Sequence, residues 1–143
     1  MNYRVMEAAD IDLVTPLYID YYNSQGDGWT PETVRRRIWQ VLGSPDSYCL
    51  LAMEGETVVG FAMGRFEQFY DLAAYNLVEI LIAGEHQGRG LGTALMGELE
   101  RRVKELGAAM VQLMAVNDDA HERFYGRLGY KDASNLTLKA RFL

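Results

Sequence analysis

The chain has 143 residues with 49% hydrophobic and 24% charged side chains, a composition typical of one soluble globular domain with its own core. Its net charge of -6 argues against nucleic acid as the main partner, because phosphate binding requires a basic surface, and it weakly favours a cationic substrate. The single cysteine, Cys49, lies in an apolar run and is expected to be a buried thiol. The acidic N-terminus predicts neither a signal peptide nor a membrane anchor, so we expect a cytoplasmic protein.

The N-terminal residues predict a short strand and then a helix. Residues 3–7 alternate between polar and apolar side chains as in a strand. The helix begins either near Asp10 or Asp12, or at Thr15 with Pro16 as its first residue, because a proline beyond the first turn would kink it. The sequence leaves both starts open.

A second helix has a clear start at Thr30, where a hydroxyl cap is followed by Pro31 and an acid. Gly43 can end it. Three consecutive arginines, residues 35–37, favour a solvated face of this helix over a binding site.

Three strands are predicted next. Residues 48–53 and 57–66 are rich in apolar and β-branched side chains, and the short turn between them indicates a hairpin. Residues 67–74 are expected to form a loop. Residues 77–82 are apolar on both faces except for Glu79, which predicts a central strand.

A glycine-rich segment connects that strand to a long amphipathic helix. Gly88, Gly90 and Gly92 allow backbone N–H groups to approach a ligand closely. These donors lie at a helix N-terminus, where a phosphate is stabilised. The dinucleotide-binding pattern would require glycine at Thr93, and no Gly-Lys-Ser or Gly-Lys-Thr sequence completes a P-loop.

The C-terminal third predicts a strand over residues 110–116, parallel to the preceding strand because a helix connects the two. Residues 117–119 are expected to cap a last helix that ends at Gly129. Alternation over residues 136–142 predicts a half-buried final strand. The result is one α+β domain, residues 1–143, with a mixed sheet.

Two segments carry a resemblance to a known family. Residues 87–92 have the pattern Q-x-x-G-x-G, and residues 117–130 have the pattern N-x-x-A-x-x-x-F-Y-x-x-L-G-Y. Together with the order of strands and helices, they closely resemble the GCN5-related N-acetyltransferase (GNAT) family. The resemblance implies a mostly antiparallel mixed sheet of six to seven strands with about four helices. It also implies transfer of an acetyl group from acetyl-CoA to a primary amine.

In this family the strand before the glycine loop splays from its neighbour and pairs with the pantetheine arm, while the loop holds the pyrophosphate. The resemblance therefore implies acetyl-CoA contacts from the strand, the loop and a downstream asparagine, which can also cap the last helix. These residues are Ile80, Leu81, Ile82, Gln87, Gly88, Arg89, Gly90, Leu91, Gly92, Thr93 and Asn117.

The resemblance implies that Tyr125 is the acid that faces the thioester sulfur. Glu79 is the best candidate for the base, since a carboxylate in an apolar strand needs a water-filled cleft or a partner. A structural or substrate-binding role for Glu79 stays equally open, and some family members have the glutamate three residues earlier, at Asn76 in this chain. Neither His86 nor His121 lies at metal-ligand spacing, so we expect no metal.

Aromatic and acidic side chains near the first helices and in the loop 67–74 could bind a cation. They are Tyr22, Asp27, Trp29, Phe69, Tyr70 and Asp71. The favoured acceptor is a small-molecule amine, with no nucleic acid or membrane as partner. A peptide lysine or N-terminus, and a CoA-binding module without catalysis, are the alternatives. The sequence allows a homodimer without predicting one.

Overall fold

A computed structural model describes residues 1–143, in which five strands lie across one sheet in sequence order. The first four strands are antiparallel, and the fifth is parallel to the fourth. They are β1 (Asn2–Val5), β2 (Ser47–Glu54), β3 (Thr57–Gln68), β4 (Ala73–Ile82) and β5 (Met110–Leu113).

Four helices cover the two faces of the sheet. They are α1 (Ile11–Asn23), α2 (Pro31–Leu42), α3 (Leu91–Glu105) and α4 (Asp119–Arg127). The first core cluster joins α1 and α2 to one face, and the second joins α3, with partly buried side chains of α4, to the other. The α+β class with a mixed, mostly antiparallel sheet is therefore confirmed, although the sheet has five strands and not six to seven. No helix combines the length and apolar character needed to cross a bilayer.

The helix starts follow local hydrogen bonding. Helix α1 begins at Ile11 and contains Pro16, so the start at Thr15 is wrong. The Thr15 hydroxyl donates to the Ile11 carbonyl at 2.7 Å within the turn that precedes the proline. Helix α2 begins as predicted, with the Thr30 hydroxyl accepting from the Thr33 N–H at 3.2 Å.

Three predicted segments differ in the structure. The loop 67–74 is shorter, because β3 continues to Gln68 and β4 starts at Ala73. Strand β5 ends at Leu113, since the chain beyond it no longer pairs with β4. The final strand, residues 136–142, is not formed: no strand lies beside it, and its apolar side chains are exposed.

A bulge in β4 bends this strand where it leaves β5. Glu79 pairs with Met63 and Leu77 with Gly64, so Val78 is an extra residue. A Cβ atom at Gly64 would collide with the Asn76 carbonyl oxygen, which explains the glycine at the bulge. The pairing with β5 ends at Leu77, and the rest of β4 has no neighbour on that edge.

Candidate active site

The unpaired end of β4 forms one wall of the candidate site. Residues Ile80 to Ile82 remain paired with β3 on one edge, while the other edge has no strand. Backbone N–H and C=O groups on that edge are available to a ligand that extends along the strand. The Gln87 side chain donates to the Ile82 carbonyl at 2.9 Å, so this one acceptor is already partnered.

The glycine loop leads into the start of α3. Gly88 and Gly90 have φ values of 77° and 75°, a left-handed conformation that favours glycine. The Ala94 N–H bonds to the Gly90 carbonyl at 3.1 Å as the first turn of α3 closes. The N–H groups of Leu91 to Thr93 precede that bond and have no acceptor within the helix. They form an anion-binding end for α3 next to the unpaired edge of β4.

Arg89 lies in this loop but is partnered by protein groups. Its Nη2 atom is 2.7 Å from Oε1 of Glu54, and its Nη1 atom is 3.2 Å from Nδ1 of His86. The guanidinium is half-exposed. These contacts hold the loop against the end of β2, and a phosphate would have to share the guanidinium with Glu54.

Glu79 has three partners on the α1 and α2 side of the sheet. The Tyr18 hydroxyl donates to Oε1 at 3.0 Å and the Tyr22 hydroxyl donates to Oε2. The Arg37 Nη2 atom lies 3.3 Å from Oε1. The carboxylate side chain is only 13% exposed, so these donors replace most of its water.

Two of these partners, Tyr18 and Arg37, were not predicted. Tyr18 is four residues before Tyr22 and therefore lies on the same helix face. Arg37 is three residues after the buried Val34 and four before the buried Val41, which sets it apart from Arg35 and Arg36. The expectation of a solvated face for the whole basic run is thus wrong for Arg37.

An aromatic group surrounds the Glu79 partners. The Trp29 ring packs edge-on against Tyr18 at 5.1 Å between centroids, and its Nε1 donates to Oδ2 of Asp27 at 3.2 Å. Tyr21 packs against Tyr22 at 4.9 Å. The structure therefore brings together the predicted substrate residues Tyr22, Asp27 and Trp29.

The other three predicted substrate residues are in the tight turn between β3 and β4. Phe69, Tyr70 and Asp71 make no hydrogen bond or ring contact with the Glu79 group, and Tyr70 is 99% exposed. Hydrogen bonds within the turn, from the Phe69 N–H and the Gln68 amide to the Leu72 carbonyl, hold it closed on itself.

Strands β4 and β5 stop pairing beyond Leu77, which leaves an opening between them. Tyr125 lies on α4, the helix that follows β5. Its ring packs against Phe124 at 5.0 Å and against Tyr130 at 5.8 Å, and its hydroxyl has no hydrogen-bond partner. Burial is the main reason that the pKa of Tyr125 is raised above its usual value, and the negative charge of Glu79 raises it further. Tyr125 is therefore a neutral phenol within electrostatic reach of Glu79.

Asn117 lies in the exposed connection between β5 and α4. The cap of α4 is Asp118, whose carboxylate accepts from the His121 N–H at 2.8 Å, so Asn117 is not the helix cap. Asn76 is bonded to Gln112 and Glu67 in the paired part of β4, away from the opening.

The sequence profile of the Acetyltransferase (GNAT) family matches residues 12–130. The fold and the opening between β4 and β5 are thus those of an acetyltransferase. The chain belongs to the GNAT family, whose enzymes use acetyl-CoA as the acetyl donor.

Solved structures with the same fold have low sequence identity. A transcriptional regulator from Bacillus halodurans C-125 superposes with a TM-score of 0.80 at 21% identity, covering 99% of each chain. A ribosomal-protein-alanine N-acetyltransferase from Brucella melitensis biovar Abortus 2308 has a TM-score of 0.78 at 19% identity, covering 99% of this chain and 100% of the other. An aminoglycoside acetyltransferase from an uncultured soil metagenomic sample, in complex with sisomicin, has a TM-score of 0.74 at 14% identity, covering 99% and 95%.

Proposed function

We propose that this protein transfers the acetyl group of acetyl-CoA to a primary amine of a small cationic molecule by direct attack. The observation that carries the proposal is the position of Glu79, a largely buried carboxylate within the part of β4 that no longer pairs with β5. We further propose that residues 1–143 act as a single acetyltransferase domain. The lone, buried thiol of Cys49 is in keeping with the cytoplasmic location proposed from the sequence.

The donor side of the site fits acetyl-CoA. The unpaired N–H groups of Leu91 to Thr93 suit a pyrophosphate, and the left-handed Gly88 and Gly90 leave its approach free of side chains. Apart from the Ile82 carbonyl, which accepts from Gln87, the edge from Ile80 to Ile82 has no neighbouring strand and suits the amide groups of a pantetheine arm. When bound, acetyl-CoA supplies an acetyl thioester, and Asn117 and Arg89 would contact it from the loops.

On the acceptor side, Glu79 would take up the proton that the attacking amine loses. The Glu79 side chain is only 13% exposed, and the Tyr22 hydroxyl already donates to it, so the proton would reach Glu79 through this hydroxyl. Tyr22 would accept the amine proton as it passes its own proton to Glu79, so Glu79 gains one proton. The nitrogen–carbon bond forms as the carbon–sulfur bond breaks, and Tyr125 would donate its hydroxyl hydrogen to the departing sulfur. Tyr125 would then regain a proton from solvent while Glu79 releases one, which restores both groups.

The choice of a small cation rests on the rings and charges around Glu79. The partly exposed rings of Tyr22 and Trp29 offer aromatic faces, and Asp27 adds a carboxylate. The net charge of -6 also attracts a cation to the protein. Among the similar structures, one is named for an aminoglycoside and another for a ribosomal-protein alanine, so the fold serves both acceptor types.

A release assay for free CoA, run with polyamines, aminoglycosides, amino acids and basic peptides, tests the proposal. We expect turnover with small di- or polycationic amines and much lower kcat/KM with peptides. Turnover with peptides alone would overturn the acceptor class. Tight acetyl-CoA binding without turnover on any amine would overturn catalysis.

A further inference from the structure

The two oxygens of the Glu79 carboxylate have different surroundings. Oε1 accepts from the Tyr18 hydroxyl at 3.0 Å and lies 3.3 Å from Nη2 of Arg37. Oε2 accepts a hydrogen bond from the Tyr22 hydroxyl alone. Each carboxylate oxygen has two lone pairs. Both lone pairs of Oε1 are therefore used, whereas Oε2 has one to spare.

The two tyrosines that bind Glu79 also differ in their access to solvent. Tyr18 is buried, while Tyr22 is partly exposed. Burial is the main reason that the pKa of Tyr18 is raised above its usual value, and the charge of Glu79 raises it further, so its hydroxyl stays a donor at neutral pH. A proton that comes from solvent or from a bound amine therefore reaches Glu79 at Oε2, on the Tyr22 side.

Helix α2 places Arg37 beside Oε1. Arg37 lies between the buried residues Val34 and Ile38, so this part of the helix faces the sheet. The Arg37 side chain stays partly exposed, and its Nε atom is buried without a hydrogen-bond partner. A buried donor without an acceptor costs stability, and a largely buried ion pair adds little in return. The placement of Arg37 is thus better explained by its effect on Glu79 than by a gain in stability.

We propose that Arg37 is a positioning residue for the reaction: together with Tyr18 it holds Oε1 of Glu79 and leaves Oε2 to take up the proton. This inference rests on the proposed role of Glu79 as the base. Without Arg37, Oε1 would keep a single donor, and the carboxylate could rotate about its last bond and exchange its two oxygens. The lone pair that takes up the proton would then no longer be fixed towards Tyr22.

Steady-state kinetics on Arg37 variants tests the proposal. Arg37→Gln should lower kcat roughly 10- to 100-fold while the KM for acetyl-CoA stays at its wild-type value. Arg37→Lys should recover most of this loss, because a single contact can be made by an ammonium group and requires no bidentate fork. Arg36→Gln, at an exposed position of α2, is the matched control and should keep wild-type kcat. Wild-type kcat in Arg37→Gln, or a lysine variant no faster than the glutamine variant, would overturn the proposal.

A double-mutant cycle with Glu79 separates positioning from general damage to the fold. In a Glu79→Gln background, Arg37→Gln should change kcat by less than about twofold, because the group that it positions is already lost. A further loss as large as in the wild-type background would show that Arg37 acts on the fold, and would overturn the proposal.

The single variants of the same cycle distinguish this inference from the proposed function. If Glu79→Gln alone kept wild-type kcat, the assignment of Glu79 as the base would be wrong, and the role of Arg37 with it. A slow Glu79→Gln enzyme beside an Arg37→Gln enzyme of wild-type kcat would overturn only the role of Arg37.

Discussion

The Tyr22 hydroxyl donates a hydrogen bond to Oε2 of Glu79, joining α1 to β4 across 57 residues of sequence. Tyr18 and Arg37 contact the other carboxylate oxygen. Burial is the main reason that the pKa of Tyr22 is raised above its usual value, and the hydrogen bond to Glu79 raises it further. The Tyr22 hydroxyl is therefore protonated at neutral pH. A neutral hydroxyl bonded to a carboxylate can relay a proton without itself acting as the base.

The first prediction concerns Glu79. Glu79→Gln keeps the size of the side chain but removes the proton acceptor, so we expect kcat to fall roughly 100-fold or more. Steady-state kinetics on the preferred amine measures the change. Glu56→Gln, in the exposed turn between β2 and β3, is the matched control and should keep wild-type kcat. If both variants turned over equally, the base would lie elsewhere.

The second prediction separates relay from direct transfer. Tyr22→Phe removes the hydroxyl while retaining the ring, and should lower kcat roughly 10- to 100-fold if the amine proton passes through this group. Tyr3→Phe, on β1 at the far edge of the sheet, removes a hydroxyl remote from Glu79 and should leave kcat unchanged. Measuring kcat for both variants alongside wild type decides the matter. A Tyr22→Phe enzyme with wild-type kcat would contradict the relay.

Much of the fold follows from local patterns in the sequence. The Thr30 cap, the hairpin between β2 and β3 and the parallel pairing of β4 with β5 were all predicted. The final strand was not formed, because alternation within residues 136–142 indicates a strand but cannot supply a neighbour for it. A strand requires a partner, and partners are a property of the whole fold.

The site was predictable only in part, for a similar reason. Glu79 stood out because a lone carboxylate in an apolar strand needs partners. The identity of those partners depends on how α1 and α2 lie on the sheet, which no local pattern fixes. Hence Tyr18 and Arg37 emerged from the structure alone.

The third prediction concerns Tyr125. Tyr125→Phe removes the only hydroxyl proposed to face the sulfur, so kcat should fall roughly 10- to 100-fold. The dissociation constant for acetyl-CoA, measured by calorimetry, should stay at its wild-type value because the ring packing is retained. Tyr3→Phe, on β1 at the far edge of the sheet, serves as the control. Unchanged turnover would remove Tyr125 from the chemistry.

The fourth prediction tests the glycine loop. Gly90 has a φ value of 75°, which costs an alanine about 1–2 kcal/mol. Gly90→Ala should lower the melting temperature and raise the KM for acetyl-CoA roughly tenfold, since relief of the strain would turn the N–H groups at the start of α3. Gly97→Ala, at an exposed position within α3, should instead stabilise the protein by roughly 0.5–1 kcal/mol. A Gly90→Ala variant with wild-type KM would contradict the proposed pyrophosphate site.

The fifth prediction concerns stability at low pH. The buried Asp10 carboxylate accepts two bonds from Arg4 at 2.8 Å and one from the Glu7 N–H. The bonds from Arg4, more than any other contact, lower the pKa of Asp10. Because its folded pKa lies below the unfolded one, its contribution is fully present above the unfolded pKa of about 3.9. That contribution is lost as the pH falls through the lowered, folded value.

Asp10→Asn should therefore reduce the free energy of unfolding by about 1–3 kcal/mol at about pH 6. The difference from wild type should shrink as the pH is lowered to about 2, because the wild-type carboxyl takes up a proton as the pH falls through its lowered pKa. Urea unfolding followed by circular dichroism at both pH values measures it. Asp12→Asn breaks only an exposed ion pair with Arg35 and should change the stability by less than about 1 kcal/mol. A difference between Asp10→Asn and wild type that persisted unchanged at low pH would show that the loss comes from packing and not from the charge.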